Sequence, residues 1–195
     1  MLNESDWYNI DKIEDFIQVQ PNYGSMPSKK TEVKILYDNK SLYIAVHLHD
    51  KPENIKKKSA VYDDWYEGFE NNSDYFVLEI DSEHNHQQSY CFAVNSMGIQ
   101  ADYTMYEDGY VDDDWNSVHW NVKTNIIDDG WVIEYEIPFK ILKYHSNKSL
   151  GINLIRFSHS DKELSYCCTL SWRSQLLVLL QNVTDTHLVV CPFLD

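Results

Sequence analysis

Two runs of alternating polar and apolar residues, joined by Asp128-Asp129-Gly130, form the most regular pattern in the chain. The positions that share a face are Trp120, Val122, Thr124 and Ile126 before the turn, and Trp131, Ile133, Tyr135 and Ile137 after it. Side chains two apart on a strand point the same way, and glycine accepts the positive φ that a tight hairpin turn needs. The pattern therefore predicts a β-hairpin that ends at Pro138, which has no N–H for the ladder.

Further strand-like runs are TEVKILY, LYIAVHLHD, DYFVLEID, SYCFAVN, IQADYTMY, GINLIRFS, ELSYCCTLSW and HLVVCPF. The opening segment differs, because Trp7, Ile10, Ile13 and Ile17 recur at helical spacing and predict a short helix or loop. About ten strands at intervals of roughly ten residues, with no helix long enough for a parallel crossover, are typical of an antiparallel sandwich. We therefore expect one all-β domain over residues 1–195, a jelly-roll or immunoglobulin-like sandwich with one or two short helices.

The composition limits the possible ligands and partners. Of the 195 residues 43% are hydrophobic and 14% aromatic, which is enough for a substantial core, and the formal net charge is −15. A chain this acidic repels the phosphate backbone of nucleic acids, whereas a neutral sugar or a cation meets no such barrier. The longest apolar run, Leu176 to Leu180, is far shorter than the ~18–20 residues of a membrane helix and predicts a buried strand or short helix instead.

Motifs for catalysis and redox chemistry are weak in this sequence. There is no Ser-His-Asp elbow, P-loop or dinucleotide fingerprint. A pair of carboxylates for glycoside hydrolysis is an alternative, because among 31 acidic residues some pair will always be close together. The cysteines, which have no C-x-x-C spacing and leave the redox compartment open, are Cys91, Cys167, Cys168 and Cys191. The chain also begins without a basic and apolar leader. We predict a protein that is not an enzyme.

Two groups of side chains are candidate metal ligands. Asp112 and Asp114, with Asp113 between them, offer clustered loop carboxylates of the kind that bind calcium, and a solvated acidic turn is the alternative. The histidine pairs with one intervening residue are His47 with His49 and His84 with His86. Such pairs suit transition metals, but the sequence indicates no third ligand, so structural or surface histidines are the alternative.

Seven sequence segments resemble, in order, the family 9-like carbohydrate-binding module, a β-sandwich related to the DOMON group. They are the LNE preceding Trp7, TEVKILYD with SLYIAVHLHD, NSDYFVLEID, YCFAVNSMGIQAD, DDWNSVHW, GWVIEYEIPFKIL and GINLIRF, and together they cover most of the chain. The resemblance is strongest to modules that precede an outer-membrane barrel of unknown function in bacterial proteins. One departure is Leu150, where a tryptophan is usual.

The resemblance implies a non-catalytic module that binds a poly- or oligosaccharide, taken from a longer secreted or cell-envelope protein of bacterial carbohydrate catabolism. It also implies two alternatives. One is a structural or docking domain that serves the outer-membrane barrel, and the other is a DOMON-like domain that binds haem or a metal.

The sugar-binding members of that family hold the ligand between two aromatic walls. The first wall lies just before the Ser-Asp of the fourth strand, where this chain has Glu70, Asn71 and Asn72, with Trp65 as the nearest tryptophan. Flat rings for the sugar face and planar polar groups for its hydroxyls are what such a site needs. The predicted ligand-binding residues are therefore Trp65, Glu70, Asn71, Trp172 and Arg173. The alternative is that either tryptophan packs against its own sandwich, as we expect for Trp115, Trp120 and Trp131.

Overall fold

A computed structural model describes residues 4–70, 72–106, 110–115, 119–143, 149–167, 176–179 and 190–191. Its strands are β1 (Phe16–Gln20), β2 (Thr31–Tyr37), β3 (Ser41–His49), β4 (Tyr75–Asp81), β5 (Gln88–Asn95), β6 (Gln100–Tyr106), β7 (Tyr110–Asp112), β8 (Asn121–Ile127), β9 (Gly130–Pro138), β10 (Ser149–Ser158), β11 (Glu163–Cys167), β12 (Leu176–Leu179) and β13 (Val190–Cys191). The helices are α1 (Trp65–Gly68) and two 3₁₀ turns, Glu4–Trp7 and Phe139–Ile141.

The strands form two antiparallel sheets. The larger sheet has the order β1-β11-β10-β4-β5-β6-β7, with β12 paired to β10 and β13 paired to β12. The smaller sheet has the order β2-β3-β9-β8. The predicted all-β sandwich is confirmed, and the segment predicted as a strand or short helix at Leu176 is strand β12.

The hairpin predicted around Asp128-Asp129-Gly130 is β8 and β9, with Ile127 opposite Gly130. Gly130 has φ +151, and a Cβ at this position would overlap the main-chain oxygen of Leu48 on the neighbouring strand β3. The turn therefore needs glycine both for its backbone conformation and for the close approach of β3.

The main core lies between the two sheets. Trp131, Tyr135, Phe76 and Leu42 are buried there, and the Tyr135 hydroxyl donates to the Phe76 carbonyl oxygen at 3.3 Å across the sandwich. The assignment of tryptophans to the core is confirmed, since Trp120 and Trp131 are buried and the partly buried Trp115 packs against the core rings of Tyr90 and Phe92. Because side chains alternate along each strand, one face of each sheet contributes its side chains to this core.

A second apolar cluster covers the opposite, outer face of the larger sheet. Its buried members are Phe69, Val77, Cys91, Ala93, Ala101 and Ile155. All except Phe69 come from β4, β5, β6 and β10, at positions that alternate with core residues. Phe69 comes from the segment that connects β3 to β4, so this connection lies on the outer face.

The prediction of a helix or loop near the start of the chain is only partly right. A 3₁₀ turn ends at Trp7, Ile13 makes an isolated antiparallel bridge with Val33, and Phe16–Gln20 is strand β1. Phe16 and Gln18 are buried while Ile17 is half-buried, so a two-residue period prevails over the helical spacing. None of the helices in the described ranges is long and apolar enough to cross a lipid bilayer.

Candidate functional site

The connection between β3 and β4 is held on the larger sheet by one fully buried carboxamide, that of Asn95. Its Nδ2 donates to the Lys58 carbonyl oxygen at 2.9 Å and to the Gly68 carbonyl oxygen at 2.8 Å. Its Oδ1 accepts from the main-chain N–H groups of Met97 and Ile99. Each polar atom of this amide is therefore satisfied, and the connection is fixed against the end of β5.

Two aspartates fix the start of helix α1. The Asp64 carboxylate accepts from the Glu67 N–H at 3.0 Å and so caps the helix. Asp63 has φ +61, donates its N–H to the Gln100 carbonyl oxygen, and accepts from the Asp102 N–H through Oδ1 at 3.0 Å. These bonds tie the helix to strand β6.

Helix α1 presents Trp65 on an aromatic support. The indole lies parallel to the Phe69 ring, with centroids 5.0 Å apart and planes 6° apart. Tyr75 and Tyr103 meet it edge-on at 5.5 and 5.7 Å. Phe69 is fully buried and Trp65 is half-buried, so one part of a rigidly held indole stays accessible. We refer to Trp65, Phe69, Tyr75 and Tyr103 as the Trp65 shelf.

The other predicted ligand-binding residues fall into two groups. Glu70 is exposed directly after the shelf residue Phe69 and has φ +24. Asn71, Trp172 and Arg173 lie outside the described residues, so their part in the site stays a prediction. The segment around Trp65 is not entirely surface, because it contributes Phe69 to a buried cluster.

The outer face of the smaller sheet carries a groove of about 590 Å³. Ala45 and Val132 lie in its floor, and Lys34 and Glu134 are among its charged lining residues. Trp7 lines it as well, and its carbonyl oxygen accepts from the Lys34 ammonium at 2.6 Å. We refer to this feature as the Trp7 groove.

A hollow of about 820 Å³ lies where the loop before β5 meets β7. It is lined by Tyr106 and Tyr110 together with amide, imidazole and carboxylate side chains. Gln88 Nε2 donates to the Tyr106 hydroxyl at 2.8 Å, and Tyr110 is 71% exposed. Sequence reasoning missed this hollow, which we refer to as the rim hollow; its only signal was the pair Tyr106 and Tyr110 on either side of the sequence Glu-Asp-Gly.

The predicted calcium ligands serve the local turn. Asp112 Oδ1 accepts from the Asp114 N–H at 3.2 Å, Asp112 is half-buried, and Asp114 is exposed. A calcium site at Asp112 and Asp114 stays a prediction.

The two histidine pairs differ in their surroundings. His84 and His86 sit in a turn that follows Asp81. The Asp81 carboxylate accepts hydrogen bonds from main-chain N–H groups of this turn, including that of His86 at 2.7 Å. Within the described ranges a third potential ligand, Glu32, joins only His47 and His49.

Burial, and then the neighbouring His49 ring, lower the pKa of His47. Burial alone would raise the pKa of Glu32, but hydrogen bonds from Lys12 and Lys30 bring it well below its ordinary value. The third side chain beside this histidine pair could not be identified without the strand register.

Comparison with known proteins agrees with this architecture. A family model described as carbohydrate family 9 binding domain-like matches residues 3–176. A family 9 carbohydrate-binding module from Caldicellulosiruptor kristjanssonii in complex with cellotriose superposes with a TM-score of 0.66 at 12% identity, covering 95% of this chain and 89% of that chain. The glucose complex of a family 9 module from the same organism gives 0.62 at 13% identity, covering 89% and 83%.

A putative carbohydrate-binding protein from Bacteroides uniformis ATCC 8492 gives a TM-score of 0.61 at 11% identity, covering 83% of this chain and 78% of that chain. Among curated proteins, no sequence matches the chain significantly. The structural likenesses show the shared sandwich fold, and the family model covers most of the sequence. The chain therefore belongs to the carbohydrate family 9 binding domain-like family.

Proposed function

We propose that this domain is a non-catalytic module that binds a neutral poly- or oligosaccharide, with the Trp65 shelf as its stacking surface. The observation that carries the proposal is the half-buried indole of Trp65, stacked at 5.0 Å on the buried ring of Phe69. An aromatic face of this kind suits the apolar C–H side of a pyranose ring.

The rigidity of the shelf favours binding. Phe69 supports one face of the indole, and Tyr75 and Tyr103 make T-shaped contacts with it. Because these contacts fix the side chain before the ligand arrives, little rotamer entropy is lost on binding. The shelf is thus a preorganised platform rather than a mobile loop aromatic.

The charge around the shelf favours an uncharged ligand. Glu70 is exposed beside it, and Glu67 is exposed on α1 with an ion pair to Lys58 at 2.9 Å. Carboxylates accept hydrogen bonds from sugar hydroxyls, whereas with a chain charge of −15 they repel uronates and sulfated glycans.

The family assignment supports carbohydrate as the ligand class. Two of the similar structures hold glucose and cellotriose, so we propose gluco-configured chains as the first ligands to test. A module of this kind acts where polysaccharide is found, and we propose a secreted or cell-envelope location for the protein that carries it.

The test is affinity electrophoresis in gels containing soluble β-glucans, followed by calorimetry with cello-oligosaccharides. Trp65→Ala is expected to weaken binding at least about tenfold, because loss of a stacked aromatic removes about 1.5 kcal/mol or more. Trp65→Phe is expected to keep part of the affinity, and thermal unfolding checks that each variant is folded.

The matched controls are Tyr110→Ala, which removes the exposed aromatic of the rim hollow, and Trp7→Ala, which removes the aromatic of the Trp7 groove. Both are expected to bind like the unaltered domain. If one of them loses binding while Trp65→Ala retains it, the shelf is not the site. If no polysaccharide retains the unaltered domain, the docking alternative replaces carbohydrate binding.

A further inference from the structure

Strand pairing brings three potential metal ligands together on the outer face of the smaller sheet. Glu32 of β2 lies directly opposite His47 of β3, and His49 follows two residues later on the same face. Nitrogen and oxygen atoms from these three side chains all lie within 4.8 Å of one another. The turn between β8 and β9 adds Asp129, whose Oδ1 lies 3.3 Å from His47 Nε2.

The Nε2 atoms of the two imidazoles each face a carboxylate, His47 Nε2 at 3.3 Å from Asp129 Oδ1 and His49 Nε2 at 3.5 Å from Glu32 Oε2. The rings stack with centroids 3.7 Å apart. The Nε2 atoms of His47 and His49 are shielded from solvent, and neither makes a hydrogen bond. Buried polar atoms are nearly always satisfied, and an ion held between an imidazole nitrogen and the facing carboxylate would satisfy both groups.

The two carboxylate oxygens of Glu32 have different partners. Oε1 accepts from the ammonium groups of Lys12 and Lys30 at 2.8 and 2.6 Å. Oε2 faces the histidines, 3.5 Å from His49 Nε2 and 3.9 Å from His47 Nδ1. The lysines thus orient the carboxylate in the way that outer partners orient metal ligands, and leave one oxygen toward the imidazoles.

From this geometry we infer that Glu32, His47 and His49 form a binding site for a divalent transition-metal ion, with Asp129 at its edge. Two imidazoles and a carboxylate are a zinc-type donor set, whereas calcium and magnesium take oxygen ligands and copper(I) takes sulfur. Ligands about 2.0–2.2 Å from a tetrahedral zinc ion lie roughly 3.3–3.6 Å from one another. Glu32 Oε2 lies 3.5 Å from His49 Nε2 and 3.9 Å from His47 Nδ1, which approaches that spacing, whereas Asp129 faces the other nitrogen of each ring.

The site is distinct from the Trp65 shelf, and its position suggests a structural role. Its ligands come from β2 and β3 beside the β8–β9 turn, so an ion there would link two neighbouring strands of one sheet. Glu32 and His47 also line the Trp7 groove, which leaves an approach from solvent. The two lysines weaken the local attraction for a cation, and Asp129 together with the acidic chain opposes that effect.

The experiment uses the full chain, without an affinity tag and stripped of metal by a chelator. Zinc binding is measured by calorimetry, and cobalt(II) is added separately to read the visible absorption of a four-coordinate ion. We expect one zinc ion per chain, a rise in the melting temperature with zinc, and at least a tenfold rise in Kd for His47→Ala and for His49→Ala.

Glu32→Gln provides a second test that keeps side-chain shape. The amide retains an acceptor for Lys12 or Lys30 but turns an N–H donor toward the imidazoles, so the expected result is again at least a tenfold weaker site. The matched control is the double variant His84→Ala with His86→Ala, which removes the other close pair, with ring centroids 4.9 Å apart, and is expected to bind zinc normally.

Two results would overturn the inference: the unaltered chain fails to bind zinc or cobalt, or the His47→Ala and His49→Ala variants bind as well as the control. Trp65→Ala is expected to leave zinc binding unchanged. The proposed metal site and the proposed carbohydrate site are therefore tested independently.

Discussion

The side chain of Asn95 donates a 2.8 Å hydrogen bond to the main-chain oxygen of Gly68, at the end of the helix that carries Trp65. This bond joins a strand of the larger sheet to the segment bearing the aromatic shelf. Ser73 also donates to the Gly68 oxygen, at 2.5 Å, so this carbonyl has two partners. The position of the shelf thus depends on polar contacts beneath it.

Asn95→Ala is expected to lower the free energy of unfolding by about 1–3 kcal/mol, because two main-chain carbonyls and two N–H groups lose a buried partner. It should also weaken carbohydrate binding, since the shelf loses its support. Urea unfolding and calorimetry measure the two effects. Asn125→Ala, which truncates an exposed amide on β8, is the control and should change stability by less than about 0.5 kcal/mol. Equal stability of the two variants would contradict the role of Asn95.

A second prediction concerns Arg156, whose guanidinium is 2% exposed at one end of the core. Its Nη1 donates to the Lys30 carbonyl oxygen at 2.7 Å and to the Thr31 hydroxyl at 3.0 Å, and its Nη2 donates to the His49 carbonyl oxygen at 2.8 Å. A strand of the larger sheet is thereby joined to both strands of the β2–β3 pair, at the end away from their connecting turn.

Arg156→Ala is expected to cost about 3–5 kcal/mol, because it leaves buried acceptors and nearby carboxylates without their cation. Arg156→Lys should recover only part of this loss, since one ammonium cannot reproduce the fork of the guanidinium. Denaturant unfolding measures both variants, with the exposed Lys123→Ala as control. Full stability of Arg156→Lys would show that charge alone matters here.

The pH dependence of stability gives a third prediction, through Glu79 on the outer face of the larger sheet. Burial raises the pKa of this carboxyl, although Ser89 and Asn153 donate to it at 2.8 and 3.2 Å. An unfolded glutamate titrates near pH 4.3, so ionisation penalises the folded state above its raised pKa and the penalty disappears below about pH 4.3. Through Glu79 the free energy of unfolding should therefore rise as the pH falls from 7 toward 5, whereas the lowered pKa of His47 acts in the opposite direction.

Glu79→Gln removes this titration and should flatten the dependence, measured as urea midpoints at pH 7, 6 and 5. Some slope should remain, because burial also raises the pKa of Asp74. The control is Glu53→Gln at an exposed position, which should keep the full slope. A Glu79→Gln slope identical to that of the control would contradict the raised pKa.

The fold followed from local pattern, whereas the sites depend on register and distant packing. The alternation of Trp131, Ile133 and Tyr135 correctly predicted which face of β9 lies in the core. A one-residue shift in register would turn these apolar side chains out of the core, so the pattern permits only one arrangement. The i, i+4 spacing of Trp65 and Phe69 is a local signal for their contact, but no local pattern could place Tyr75 and Tyr103 beside Trp65, since those contacts need the connection to fold back over the sheet. Likewise, Glu32 joins the histidines only through the pairing of β2 with β3.

Gly130 gives the last prediction and links the sequence motif to the sheet. It has φ +151, and a Cβ would overlap the Leu48 oxygen and meet the His49 Cα at 3.0 Å. Both atoms belong to the backbone of β3, so the obstacle cannot turn away like a side chain. Gly130→Ala is therefore expected to cost more than about 3 kcal/mol, through backbone strain together with displacement of a central strand.

The matched control for this change is Gly24→Ala, which has φ +76 but no atom within 4 Å of the added carbon. It carries the cost of the positive φ alone, about 1–2 kcal/mol. The difference in urea unfolding between the two variants therefore measures the close approach of β3 and β9 together with the greater backbone strain at φ +151. If both lose the same stability, the conformation of the turn rather than interstrand contact explains the glycine. Because His49 adjoins the obstructed atoms, Gly130→Ala should also weaken zinc binding, whereas Gly24→Ala should not.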